Sequence, residues 1–129
     1  MRHRDDAGSA AVDFVLVGTL VTLLFLAIVQ LGIDYHVRNV LAACAAEGAR
    51  YGANADVASA QAGADKTNEL IRESLGTAYA RATAPDEQDS VDGAPVVTVD
   101  VTVRLPLLAW FLPMGPTVHA TGHALQEPQ

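Results

Sequence analysis

The chain holds a single cysteine, Cys44, in 129 residues, so no internal disulfide can form and cysteine pairing says nothing about redox compartment. Positive charge is also scarce, with eight Lys and Arg against fifteen Asp and Glu and a net charge of −7. The absence of a basic cluster argues against a nucleic-acid partner and against a second, electrostatic attachment to anionic lipid. Signatures of catalysis are missing too. No nucleophile–base pattern, glycine-rich phosphate loop or metal-ligand spacing occurs, so the sequence points to no catalytic residues, no metal and no cofactor. His119 and His123 are four apart in an extended segment, which separates them by ~13 Å and suits no close metal pair. The acids between Ala84 and Pro95 lack the alternation and the closing bidentate glutamate of a calcium loop.

What the chain does have is an apolar run. Phe14 to Ile33 contains no charged side chain, and twenty such residues in a helix span ~30 Å, the thickness of a hydrocarbon core. Gly18, Thr19 and Thr22 are small residues along it that permit close approach of a second helix. Asp13 stands at its head, five residues after Gly8. A carboxylate near a bilayer interface is best tolerated beside a cation, such as a free α-amine, or at a helix N-terminus. The run is longer than the apolar region of an ordinary cleaved signal, ~7–15 residues, and Asp34-Tyr35-His36 follows it where a small-residue cleavage site would stand. Leu41-Ala42-Ala43-Cys44 has the residue types of a lipobox but is separated from the apolar run by seven residues, Asp34 to Val40. Arg2 and Arg4 before the run balance Arg38 and Arg50 after it, so the positive-inside rule does not orient the chain.

Beyond Ile33, 96 residues remain, enough for one small domain with a thin, alanine-rich core. The helix is expected to continue through the proline-free segment Asp34 to about Gly52. Val37, Val40, Leu41 and Cys44 form its apolar stripe, and Gly48 and Gly52 act as thinning and stop signals. Helix from Ser9 to Gly52 would be ~66 Å long. Glu47 and Arg50 are three apart on one face, an ordinary surface ion pair or an orienting group for a subunit contact. Tyr51 is expected to be a packing anchor at the helix end.

A second helix is expected from about Asp56 to Ala82, capped by Asn54 or Asp56, with Leu70, Ile71, Leu75, Ala78 and Tyr79 inward. Gly63 and Gly76 should weaken it. Ala84 to Pro95 reads as a loop. Val97, Val99, Val101 and Val103 alternate with polar residues as a half-buried strand, extended by Val96. The apolar segment 105–113 is too short to span a bilayer. Its Trp110 and Phe111 are either core residues or a candidate partner surface. Pro113 to Pro116 is turn chemistry, and Thr117 to Leu125 closes the sheet antiparallel to the valine strand.

Two stretches at linked positions, Gly8-Ser9-Ala10-Ala11-Val12-Asp13-Phe14 and Ala46-Glu47-Gly48-Ala49-Arg50-Tyr51-Gly52, resemble the TadE-like family, the pilin-like proteins of tight-adherence pilus assembly. The resemblance implies cleavage by a prepilin peptidase after Gly8. Ser9 would become the new N-terminus, Asp13 would stand at the fifth mature position, and Phe14 would supply the aromatic that follows. The family more commonly has glutamate where Asp13 stands. The resemblance also marks Glu47, Gly48, Arg50 and Tyr51 as a helix-packing motif. On this reading residues 1–8 are a leader, 9–33 a transmembrane helix and 34–129 an extracytoplasmic pilin-like α+β domain. The fold class is α+β: a long transmembrane helix continuing as a stalk, a second helix and a small antiparallel sheet. The implied partners are the lipid bilayer, the prepilin peptidase, other pilin-like subunits and the tight-adherence secretion components. The implied location is the cell membrane, single-pass, or a pilus after export. The competing reading is a surface-anchored module that binds a ligand or the cell wall, including a lipoprotein acylated at Cys44.

Overall fold

The computed structural model describes residues 5–54, 56–83, 89–91, 94–105, 115 and 117–126. The element order is α1 (Asp5–Ala53), α2 (Ala60–Ser74), a 3-10 turn (Thr77–Tyr79), β1 (Ala82–Thr83), β2 (Asp89–Val91), β3 (Ala94–Arg104) and β4 (Thr117–Leu125). The expected α+β class with a long apolar N-terminal helix, a second helix and an antiparallel sheet is what the chain forms. It divides between Ile33 and Asp34 into two compact units.

In the first unit every residue from Gly8 to Ile28 is exposed. The helix is long and apolar enough to cross a membrane. The Thr19 and Thr22 hydroxyls each donate to the carbonyl four residues back, Val15 and Gly18, at 2.8 Å. Their polarity is thus met within the helix, which suits hydrocarbon surroundings.

The second unit is two-layered, helices on one face of a sheet. β3 is its central strand. β4 pairs along one edge in a register running from Val96↔Leu125 to Arg104↔Thr117. β1 and β2 share the other edge, β1 opposite Val101 and Asp100, β2 opposite Val96, Pro95 and Ala94. The valine alternation sets the inner face. Val97, Val99, Val101 and Val103 are buried beside Val118, Ala120 and Gly122. Near the start of β3 the strand is buried on both faces, since Val96 and Thr98 are also covered. That differs from the half-buried strand the alternation implies.

The helical layer departs from expectation at its ends. α2 begins at Ala60, capped by Ser59, whose hydroxyl accepts from the Ala62 amide at 3.3 Å. Asn54 and Asp56 belong instead to the preceding turn, where the Asn54 carbonyl accepts from the Val57 and Ala58 amides at 3.0 and 2.8 Å. α2 also stops at Ser74 rather than Ala82. Gly76, at φ +99° and ψ 167°, takes an extended backbone conformation that only glycine adopts readily, and its amide donates to the Ile71 and Arg72 carbonyls, both at 3.2 Å. The chain beyond it is therefore free to become the 3-10 turn and β1, and Ala78 is exposed rather than packed. Within the expected loop 84–95, Asp89–Val91 is a strand, and Ala94 and Pro95 already belong to β3. A hairpin with its own pairing thus replaces part of the loop.

Candidate functional site

The described part of the site is carried by α1. Asp13 and Phe14 are exposed on it, Phe14 with 80% of its surface free. Gly8 and Ser9 lie inside the helix, which is described from Asp5 onward. A methyl group at Gly8 or Gly18 would meet nothing within 4 Å.

In the second unit the residues of the 46–52 motif divide by face. Gly48, Ala49 and Gly52 turn inward, whereas Glu47, Arg50 and Tyr51 turn outward. Glu47 Oε2 and Arg50 Nη1 are 3.7 Å apart with most of each side chain in solvent, the geometry of a weak surface pair. Tyr51 is 43% exposed. It borders a shallow hollow of about 270 Å³ with Ala62, Asp65, Lys66 and Glu69. In that hollow Lys66 Nζ donates to Glu69 Oε2 at 2.7 Å. This hydrogen bond, with the attraction of the opposite charges, holds the Glu69 carboxyl below its ordinary range and the Lys66 ammonium above its own.

The inward face is a seam of small residues. Val37, Leu41, Cys44, Ala45, Ala49 and Ala53 are buried along α1. Gly48 and Gly52 do more than thin and stop the helix, because they are where α2 crosses. A Cβ on Gly52 would stand 2.6 Å from the Ser59 carbonyl oxygen, and one on Gly48 would collide with Thr67 Oγ1. Gly63, expected only to weaken α2, is buried in the same crossing, and a Cβ there would also press on Val99 at 3.3 Å. On the sheet side, a Cβ on Gly122 would run into the Ala45 backbone. The buried Thr67 hydroxyl donates to the Gly63 carbonyl at 2.9 Å, with the Cys44 carbonyl at 3.4 Å. Thr67 and Gly122 were not singled out by the residue pattern, and Gly63 only as a weak point of α2. The signal available was the recurrence of Ala45, Gly48, Ala49 and Gly52 at spacings of three and four, the pattern of a close helix crossing.

Cys44 is 7% exposed in the interior of α1. Burial raises its thiol pKa, and a hydrogen bond with Ser74 offsets part of the rise. Cleavage before an acylated Cys44 would also remove Leu41, which is fully buried in the domain core. Trp110 and Phe111 lie outside the described residues. Among the described residues no three of His, Cys, Asp and Glu gather into a cluster that could hold a metal. His119 Nδ1 is instead 3.0 Å from the Thr102 hydroxyl across the strands.

The segment from Gly8 through the apolar helix to Arg50 is thus one continuous α-helical stretch, exposed along its apolar part and buried through small residues at its end. Residues 8–50 match the family model of the TadE-like protein. The match spans the apolar helix and stops one residue before Tyr51. The likeness to the TadE-like family is confined to this segment, about a third of the chain. With one helix among the described residues long enough to cross a bilayer, the chain reads as a single-pass membrane protein. No curated protein and no solved structure matches it.

Proposed function

We propose that the chain is a non-enzymatic, pilin-like membrane subunit that helps to assemble a tight-adherence pilus. The observation that carries this reading is the TadE-like match over residues 8–50, which includes the glycine, the acid and the apolar helix in their expected order. A prepilin peptidase removes residues 1–8 by cutting after Gly8. The new α-amine of Ser9 then stands close to Asp13, on the same chain or a neighbour, and neutralises a carboxylate that is costly to leave alone near lipid. The apolar helix is held by the bilayer and packs against like helices, with Phe14 at the headgroup end and Gly18, Thr19 and Thr22 at the closest approaches. Glu47, Gly48, Arg50 and Tyr51 act as a helix-packing motif within the domain beyond Asp34, with Glu47 and Arg50 orienting a subunit contact. The domain beyond Asp34 is extracytoplasmic and meets other pilin-like subunits and the secretion components.

Intact mass of the protein purified from membranes tests the reading. The expected result is a chain beginning at Ser9, with Gly8→Ala retaining residues 1–8 and protease added outside the cell digesting the domain. A mature protein of unchanged mobility in the Gly8→Ala variant, or a polypeptide recovered wholly in the soluble fraction, would overturn it.

A further inference from the structure

Two bases far apart in the sequence come together on the domain. Arg81 and Arg104 are 23 residues apart, so no basic cluster shows in the residues read in order. The β1–β3 pairing removes that separation. Continuing the Ala82↔Val101 register by one residue puts Arg81 opposite Thr102, and Arg104 follows two residues on along the same strand face. Thr117 pairs directly with Arg104 from the other side. These four residues border one concavity of about 400 Å³, which Ala78 and Val103 also line.

Both arginines are exposed, and among the described residues neither makes an ion pair. Asp100 shares their face two residues before Thr102 and is paired with neither. The Thr102 hydroxyl is held 3.0 Å from His119 Nδ1, and Thr117 is exposed beside Arg104. Two guanidinium forks and a hydroxyl around one hollow form a donor set for the oxygens of a phosphate group. In a chain of net charge −7, the hollow is a local reversal of sign.

The place of the hollow in the domain points to the source of that phosphate. α2 runs antiparallel to α1, with Ser59 against Gly52, Gly63 against Gly48 and Thr67 against the Cys44 carbonyl. β3 runs the same way as α2, with Val99 beside Gly63 and Arg104 beside Ala78. Five strand residues from Val99 and eleven helical residues from Gly63 both cover ~16 Å, so Arg104 and Ser74 end at a similar level. The Ser74 side chain is bonded to the Cys44 thiol, which is ten residues, ~15 Å of helix, from Asp34. The hollow therefore sits at the end of the domain where the chain enters from the apolar run.

We infer that this hollow binds the phosphate of an anionic phospholipid headgroup, giving the domain a second hold on the bilayer besides the apolar helix. The charge balance alone argues against such a hold, but strand pairing supplies the cluster that the sequence order lacks. The inference rests on the reading of the chain as a membrane protein and needs neither cleavage at Gly8 nor pilus assembly.

The test uses the full-length protein in lipid nanodiscs, of phosphatidylcholine alone or with about a third phosphatidylglycerol. Phenylglyoxal, which modifies free guanidinium groups, is followed at each arginine by peptide mass. In the anionic discs Arg81 and Arg104 should react about fivefold more slowly than in the neutral ones, the effect of one headgroup contact per arginine. Arg50 and Arg72, exposed elsewhere on the domain, should react alike in both. Arg104→Ala should return Arg81 to its neutral-disc rate, with circular dichroism unchanged. Inorganic phosphate added to the neutral discs should protect neither arginine. Equal rates at Arg81 and Arg104 in the two discs, equal slowing of Arg50 and Arg72, protection of Arg81 that survives Arg104→Ala, or protection by inorganic phosphate would each overturn the inference. A chain that does not co-elute with the discs overturns the membrane reading as well, so the two failures are told apart.

Discussion

A Cβ placed on Gly63 would stand 2.8 Å from the carbonyl oxygen of Gly48. The two helices of the domain therefore meet backbone to backbone, at a distance no side chain other than hydrogen permits. Gly48→Ala should reverse the usual benefit of alanine in a helix, about 1 kcal/mol. The overpacked crossing should cost about 1–3 kcal/mol, a drop of roughly 4–8 °C per kcal/mol in the melting temperature of a domain this size. Gly32→Ala, where nothing lies within 4 Å, serves as the control and should keep that benefit, leaving the melt equal or slightly higher. Equal melts for the two variants would contradict the crossing.

Two buried threonines should respond in opposite directions to the same change. Thr67 donates a hydrogen bond in the seam, so Thr67→Val should lose about 0.5–1.5 kcal/mol. The Thr98 hydroxyl is buried and has no hydrogen-bond partner among the described residues. Thr98→Val removes an unmet polar group of matching shape and should gain about 1 kcal/mol. Denaturant midpoints of the two variants check this directly. A shift of the same sign in both would count against the assignment of their environments.

The Cys44 thiol has a pKa raised by burial. The folded chain thus keeps its proton at pH values where the unfolded thiol, with pKa near ~8.5, has begun to lose it. Its stabilising contribution is complete below that value and declines as pH rises toward the folded pKa. Alkylation of the native protein should be slow and displaced to higher pH than alkylation in denaturant. A native profile matching that of an ordinary exposed thiol would refute the burial.

Glu69 has its carboxyl pKa lowered, first by the hydrogen bond from Lys66 and then by its charge. Its contribution is present above the unfolded value near ~4.3 and is lost as pH falls through the folded one. Lys66→Ala should move the Glu69 titration upward, followed by carboxyl chemical shifts. An unmoved titration would place the pair out of contact in solution.

Much of this was readable in the residues. The period of two in Val97 to Val103 identified β3, and the length of the apolar run identified the spanning helix, because both patterns follow from burial of many side chains at once. The ends of α2 were harder. Ser59 competed with Asn54 and Asp56 as a cap, and all three types serve that role locally. The stop at Gly76 depends on one residue adopting a positive φ, which composition alone cannot distinguish from a glycine tolerated inside a helix. Gly48, Gly52 and Gly63 looked like weak points in two separate helices. Their role appears only when both helices are placed together, since a missing side chain leaves no hydrophobic signal of its own. β2 was hidden for a similar reason, being three residues rich in polar groups whose pairing is supplied by β3.

The glycine–alanine seam also shapes how the domain should come apart. Layers joined through hydrogens and methyl groups hide less hydrocarbon per residue than layers joined through leucine and phenylalanine. Unfolding then wets a modest area, which gives a shallow denaturant slope and a small heat-capacity increment. A flat stability curve of this kind changes little between a cool and a warm environment.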